Sequence, residues 1–385
     1  MFTLEVLKAK HGDCLFLHHG DDAAPRHILI DGGPRGAFRQ FLKPHLRHLQ
    51  EEDDPARPVK LDLVMVSHID QDHIRGVLDL AKDMAEALDD RQQPLANIGT
   101  LWHNAFADFV PNGAGTAEAA ESGALKVADI ADPDVDLVLQ PHTKLVLSSV
   151  NEGRQLRDLA RRLNIDVNPD SENGLVLGGH ELTDGDLTLK VLGPTRADAD
   201  DLKVKWDKEV KKLLEKEEAA RMDAAAYLDR SVFNLSSIVV LAEQGGHRML
   251  LTGDARGDKI LENLEQQALL DDDGKIHVDV LKLPHHGSDR NVEDDFFERV
   301  TADHYVISCD GRHHNPELET YRMLFRARQD DRPYTIHVTY PPEELKSDYP
   351  ADELEDLLDE AEAAGANFRM RYPEDGQSSM TIALG

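Results

Sequence analysis

Positive charge is what this chain has least of: 43 Lys and Arg stand against 74 Asp and Glu in 385 residues, a formal net charge of −31. Such a surface repels polyanions and leaves no broad electrostatic footprint for coating duplex DNA or RNA. A nucleic-acid substrate would have to be received by a local positive patch or by bound metal. Cysteine is nearly absent. Cys14 and Cys309 are too few for a disulfide framework and stand in no metal-type spacing, so they read as buried thiols of a reducing compartment. No stretch approaches the roughly 18 uninterrupted apolar residues of a membrane span. The start, MFTLEVLKAKHGDCLFLHHG, alternates like a strand and lacks the basic start and continuous apolar core of a signal peptide. The expected location is the cytoplasm, with no membrane contact. What remains is 40% hydrophobic in recurrent runs, which excludes a disordered acidic chain.

The apolar runs are most regular near the two ends. FTLEVLKA, DCLFLHH and RHILIDGG read as consecutive strands, LDLVMVSH as a fourth, and IRGVLDLAKDMAEAL as a helix. The second half repeats this pattern, with LTLKVLGP, SSIVVLAEQ and HRMLLTGD as strands, DKILENLEQQALL as a helix, and VDVLKLPHHGS and HYVISCD as strands again. SSMTIALG follows the helix ADELEDLLDEAEAAG as a closing strand. Between the halves the pattern weakens. Residues 104–180 and 199–230 read as insertions, the second rich in helix formers and charge, as an exposed helix or helical lid. The expectation is an α/β chain, one catalytic unit over residues 1–385.

Polar side chains fall at the strand ends. Asp31 ends ILID, His68 ends LVMVSH, Asp254 ends MLLTGD, and His285 and His286 end VLKLPHH. Loops at the ends of sheet strands are where α/β proteins build sites. An Asp-Gly-Gly turn is common enough that Asp31 stands equally as a structural residue. The densest segment is SHIDQDHIRG, residues 67–76. In His68-x-Asp70-x-Asp72-His73, alternate residues can point into one pocket while the adjacent Asp72 and His73 serve a second. Imidazole with carboxylate suits Zn²⁺ first and also admits Mn²⁺ or Fe²⁺. One or two such ions lower the pKa of bound water towards neutrality, and a pair about 3.5–4 Å apart can hold a bridging hydroxide. The implied chemistry is hydrolysis.

The ordered series KHGDCLFL, HILIDGG, SHIDQDHIRG, LTLKVLGP, NLSSIVVL, RMLLTGDA, LKLPHHGS and ISCDGRHHNPELETY resembles the metallo-β-lactamase-fold hydrolases. Among them it is similar to the hydrolase domain of ComEC-type DNA-uptake proteins and their soluble stand-alone relatives. The resemblance spans both halves and leaves the insertions unmatched. It implies an αββα sandwich with helical insertions, and a metal site of His68, Asp70, Asp72, His73, Asp254 and the His285-His286 pair, with Asp254 bridging. Asp70 stands where the broad superfamily has His, as is common in the uptake-type subgroup. Asn234 or Ser236 stands where many relatives have a further metal-binding His. The position of His68, Asp70 and Asp254 is therefore expected to be weak or completed by substrate. Asp72, His73, Asp254 and one of His285 and His286 are expected to form the tight one.

Several further roles follow as expectations. Asp72 orients the attacking hydroxide, and His285 or His286, with His314, stabilises the oxyanion or protonates the leaving oxygen. Asn234, Ser236 and Ser288 are substrate-side candidates, although Ser288 equally caps a turn and His314 can simply start a helix. His103 is expected to be structural. His18, His19, His45 and His48 show no partner pattern and are assigned to the surface, with Arg35 and Lys43 solvated. The uptake-type resemblance implies a phosphodiesterase or nuclease acting on single strands or a nucleotide-like phosphodiester. No membrane channel of the kind that accompanies that domain is visible, so uptake itself is not implied. A partner-binding or regulatory protein with a degraded single-metal site and acidic insertions that dock another chain is the alternative. A lactone or thioester hydrolase is the third reading.

Overall fold

Short turns and long crossovers divide the chain into two mixed sheets in the computed structural model, which describes residues 1–104, 141–201, 236–328 and 332–384. The first sheet opens with β1 (Phe2–Leu7), β2 (Leu15–Asp21) and β3 (Ala24–Ile30), antiparallel neighbours joined by tight connections. β4 (Val59–Val66), β5 (Ala96–His103) and β6 (Asp166–Val167) then add in parallel. Parallel neighbours need a crossover of a dozen or more residues. α1 (Lys43–Asp53), α2 (Gln71–Asp89) and α3 (Pro141–Arg162) lie on those crossovers.

The second sheet repeats the plan. β7 (Glu181–Asp184), β8 (Leu187–Gly193), β9 (Val239–Gln244) and β10 (His247–Leu251) are antiparallel. Gly245 and Gly246, at φ 60° and 89°, make the tight turn between the last two. β11 (Ile276–Lys282), β12 (Val300–Ile307), β13 (Tyr334–Val338) and β14 (Phe368–Arg371) follow in parallel. Their crossovers carry α4 (Gly257–Gln266), α5 (Asp294–Arg299), α6 (Leu318–Ala327) and α7 (Ala351–Ala363). The closing strand β15 (Ser379–Ala383) returns to the first sheet and pairs antiparallel with β1, Leu4 opposite Ile382.

Side-chain alternation then fixes three apolar layers. Phe2, Leu4 and Val6 of β1 meet Leu187, Leu189 and Val191 of β8 in a core between the sheets. Leu46, Ile74, Val77 and Leu156 cover the outer face of the first sheet, and Ile260, Phe296, Tyr321 and Leu354 that of the second. In β4 a register shift beside Asp62 resets the alternation, so Leu61 faces the helices while Leu63 and Met65 face the other sheet. Each fully buried side chain of this kind stabilises by about 1.5–3 kcal/mol relative to exposure. Because both sheets share the middle layer, the halves cannot separate without exposing it. This is the αββα sandwich.

The structure revises two expectations. Part of the 104–180 segment is built into the sandwich: Leu156, Ala160 and Ile165 join the outer core and Val176 the middle one. Most of the 199–230 segment, with Asn234, lies outside the described residues. His18, His19 and His45, assigned to the surface, are buried. They are held by acids that no local spacing reveals: His18 Nε2 is 3.1 Å from Glu5 and His45 Nε2 3.3 Å from the same carboxylate, while His19 faces Asp184 at 3.7 Å. His18 also meets His27, Nδ1 to Nδ1 at 2.8 Å, and His27 Nε2 meets Asp53 at 2.9 Å. Cys14 and Cys309 are free and buried. Among the described residues, no helix is long and apolar enough to cross a membrane.

Candidate metal centre

The ends of β3, β4, β10 and β11 converge, and they bring side chains of both sheets to one place. His68, Asp70, Asp72 and His73 come from the turn between β4 and α2 and from the first turn of that helix. The turn is held by close backbone packing. A Cβ on Gly76 would lie 1.8 Å from the Gly32 carbonyl oxygen, so only glycine lets α2 approach the strand end. Gly32 N–H donates to His73 O at 2.8 Å and Gly76 N–H to Gly33 O at 3.0 Å. Asp254 follows β10, and His285 and His286 follow β11. The latter two are consecutive left-handed residues, at φ 47° and 55°, a conformation costly for non-glycine residues and concentrated at functional sites.

That local strain sends the neighbouring imidazoles to different oxygens of one carboxylate. His286 Nε2 is 3.6 Å from Asp254 Oδ1, whereas His285 Nε2 is 3.5 Å from Oδ2. His73 Nε2 joins the first oxygen at 3.2 Å and His68 Nε2 the second at 3.7 Å. Asp72 Oδ2 lies 3.6 Å from His286 Nε2, and Asp70 Oδ2 lies 3.6 Å from His68 Nε2. Asp72, His73 and His286 thus gather about Oδ1 of Asp254, and His68, with Asp70 beside it, and His285 about Oδ2. His68 also stands close enough to Asp72 and His73 to share an ion with them. Ligand atoms around a tetrahedral ion with bonds of about 2.0–2.1 Å stand roughly 3.3–3.4 Å apart, so these separations are of coordinating size. His285, on the same Asp254 oxygen as His68, is thus the protein group nearest to supplying the third donor that this side was expected to lack.

The far edges of the rings are fixed as a metal would require. His73 Nδ1 is 2.8 Å from Asp31, His286 Nδ1 is 2.9 Å from Ser308 O, and His285 Nδ1 is 2.7 Å from Asn291 Oδ1. Each partner accepts, so Nδ1 carries the proton and Nε2 is left bare. Ser67 Oγ donates to Asp31 at 2.7 Å and is 3.1 Å from His68 Nδ1, giving that ring the same tautomer. Asp31 is thus the hub that orients His68 and His73. Nε2 of His68, His73 and His286 and Oδ1 of Asp254 are buried without a hydrogen-bond partner. Converging buried atoms left in that state fit divalent cations on the two sides of Asp254, which would satisfy them.

Electrostatics agrees. Burial would raise the Asp254 carboxyl, but His73, His286, His285 and His68 hold it well below the ordinary carboxylate range. Burial would lower His73, and Asp254, Asp31 and Asp72 instead raise it well above the usual imidazole value. His286 is pushed up to about 9, burial being outweighed by Asp254 and Asp13. The carboxylates thus draw positive charge into this space, as protons on the rings or as a divalent ion in their place.

Two participants escaped sequence reading. Asp13, in the turn between β1 and β2, and Lys282, the last residue of β11, form a close ion pair with each side chain 1% exposed. The KHGD motif marked the first, but Lys282 sits inside an apolar strand where nothing local announces it. His11 also lies at the centre, its ring 6.2 Å from that of His313 and its titration lowered to about 4, by burial ahead of the opposing pull of Asp72. Of the other candidates, Ser236 is buried in the segment leading to β9, and Ser288 donates to Glu317 Oε2 at 3.1 Å. His314 is exposed in a turn at φ 63°. His103 is buried beside Gly153.

No family model matches the chain. It is 31% identical over 113 residues to ComE operon protein 3 of Bacillus subtilis (strain 168), a match covering 28% of this chain and 14% of that protein. The aligned part is thus about one-seventh of the relative's length. A Parabacteroides distasonis chain provisionally named a metal-dependent hydrolase superposes with a TM-score of 0.35 at 10% identity, covering 96% of this chain and 93% of the other. A Cronobacter sakazakii metallo-β-lactamase with a HARLDQ motif gives 0.30 at 12%, covering 93% and 88%. Scores this low carry no weight beside the strand order and the placement of the cluster. On those two features the chain has the αββα sandwich of the metallo-β-lactamase fold, and in sequence it resembles the ComE protein over the matched stretch.

Proposed function

We propose that the chain is a metal-dependent hydrolase that cleaves phosphodiesters, single-stranded nucleic acid or a nucleotide-like ester, at a pair of divalent ions. The observation that supports this most is the set of buried, unpartnered donor atoms around Asp254. His68, Asp70 and His285 would hold one ion and Asp72, His73 and His286 the other, with Asp254 shared. Zn²⁺ suits this donor set, and its carboxylate share also admits Mn²⁺. Bound ions would supply a water acidified towards neutrality and an electrophilic pull on a phosphoryl oxygen.

The residues divide the remaining work by exposure. His68, His73, Asp254 and His286 are sealed, at 2% exposure or less, whereas the side chains of Asp70, Asp72 and His285 are 24%, 25% and 30% exposed. Substrate therefore approaches over those three. Asp72 accepts a hydrogen bond from the attacking water and aims it at phosphorus. His285 Nδ1 donates to Asn291 Oδ1, and the Nδ2 of the same amide donates to Asp254 O at 3.1 Å, so one amide sets both groups. His314, in an exposed turn, would protonate the leaving oxygen. With a net charge of −31, attraction for a polyanion must come from the loaded centre itself.

A metal-by-substrate matrix tests the reading. Bis-p-nitrophenyl phosphate, short single-stranded DNA and RNA, a cyclic dinucleotide and a lactone are each offered to wild type and to His68→Ala/Asp72→Ala, with Zn²⁺, Mn²⁺ or Mg²⁺. Phosphodiester cleavage that the double variant loses supports it. Cleavage of the lactone alone would replace phosphorus by acyl carbon. A protein that keeps its ion and turns over nothing would be a binding module.

A further inference from the structure

Asp13 and Lys282 lie beside the centre, behind the imidazole faces that meet Asp254. Asp13 Oδ2 is 3.9 Å from His73 Nδ1 and Oδ1 is 3.4 Å from His286 Nδ1. Both approaches are to the protonated ring edges, behind the face that Nε2 presents to Asp254. Asp13 stands close enough to His73, Asp254 and His286 to share an ion with them, but the ring atoms it faces are Nδ1, so its carboxylate is placed to polarise two ligand imidazoles. Lys282 Nζ is in close contact with Asp13, donates to Gly253 O at 3.2 Å, and stands 4.0 Å from Asp254 Oδ1. A permanent ammonium sits one atom layer from the carboxylate that two divalent ions would share.

Burying a lysine in that position needs a reason, because an ammonium 4.0 Å from the bridging oxygen repels any cation bound there. Charge balance supplies one. Asp13, Asp31, Asp70, Asp72 and Asp254 bring five carboxylates to the centre. Two divalent ions neutralise four of them, and an enclosed site disfavours the remaining charge. Lys282 matches the fifth.

We propose, resting on the two-ion reading above, that Asp13 and Lys282 form an opposed pair of positioning residues that set the metal affinity of the centre. Asp13 strengthens the hold of His73 and His286 on the ion, and Lys282 weakens it at Asp254. The net effect is a centre whose ions remain exchangeable.

The test is equilibrium binding of Mn²⁺ to apo protein, read by electron paramagnetic resonance of the free ion, for wild type, Asp13→Asn, Lys282→Met, Lys282→Arg and the double variant Asp13→Asn/Lys282→Met. Asp13→Asn, which leaves the ammonium unopposed, should weaken binding by about 10–100-fold. Lys282→Met should tighten it by about tenfold or more, Lys282→Arg should stay near wild type, and the double variant should return to within a few-fold of wild type. Opposite signs for the two single variants are what a purely structural pair would not give. If both weaken binding alike, the proposal falls. If Lys282→Met does not fold, the double variant must still bind more tightly than Asp13→Asn, and failure to do so is equally fatal. Wild-type protein that binds no Mn²⁺, Zn²⁺ or Co²⁺ would instead overturn the metal reading beneath it.

Discussion

Gly76→Ala should damage this protein although alanine is the better helix former. The new Cβ would lie 1.8 Å from Gly32 O and 2.4 Å from Gly32 C, against an ordinary contact of 3.4 Å. The first turns of α2 must then move by about 1.6 Å, and since the obstacle is backbone no rotamer change relieves it. Overpacking of this kind costs about 1–3 kcal/mol, occasionally more, and the roughly 1 kcal/mol that alanine gains within a helix offsets only part. A net loss of about 2 kcal/mol is expected. The same shift carries His73 away from Asp31 and Asp254, so divalent-metal affinity should fall at least tenfold. Gly153→Ala in α3 is the control. Its Cβ would meet the nearest atom, His103 Nε2, at 3.4 Å, so the helix gain of about 0.5–1 kcal/mol should appear as added stability. Urea unfolding of both variants, with metal content measured on the same samples, decides. Equal stability changes, or a Gly76→Ala protein with full metal affinity, would refute the close approach.

Further outcomes follow from the same geometry. Asp254→Ala should lose both ions by elemental analysis, whereas Asp70→Ala should lose no more than one; loss of both in Asp70→Ala would contradict the division of donors. In chelator, raising the pH from 6.5 to 9 should lower stability, because His286 binds its proton up to about 9 when folded and gives it up near 6.5 when unfolded. Metal affinity should rise over that range, since a divalent ion competes with the same proton, and a urea midpoint that climbs with pH in chelator would be contrary. His18→Leu should destabilise by about 1–3 kcal/mol, by leaving His27 Nδ1 without its partner and taking one of the two histidines from Glu5, and a change under about 0.5 kcal/mol would show that the histidine chain is incidental.

What the sequence disclosed follows from how local the signals are. The strands, α2, and the clustering of Asp31, His68, Asp254, His285 and His286 were legible because each of these ends an apolar run, and Asp72 and His73 because they follow His68 in one dense motif. Which oxygen of Asp254 each of His285 and His286 approaches was not, since it depends on two successive left-handed residues. The Asp13–Lys282 and Glu5–His18–His45 contacts were hidden for another reason. Their partners lie on different elements, and only packing puts a lysine of β11 against the β1–β2 turn or two histidines against the carboxylate of Glu5. Residues 141–178 looked like an insertion because α3 and β6 are separated from β5 by a long stretch of weak pattern.

The return of β15 to β1 bears on how the molecule assembles. Leu4 finds Ile382 across 378 positions of chain, among the most sequence-distant contacts a chain of this length can make, and closing so large a loop belongs late in folding. Until it closes, β1 is an open edge bearing Phe2, Leu4 and Val6, a template for pairing with another molecule. Refolding yield should therefore fall with protein concentration, and the window for aggregation should shut when the last strand docks.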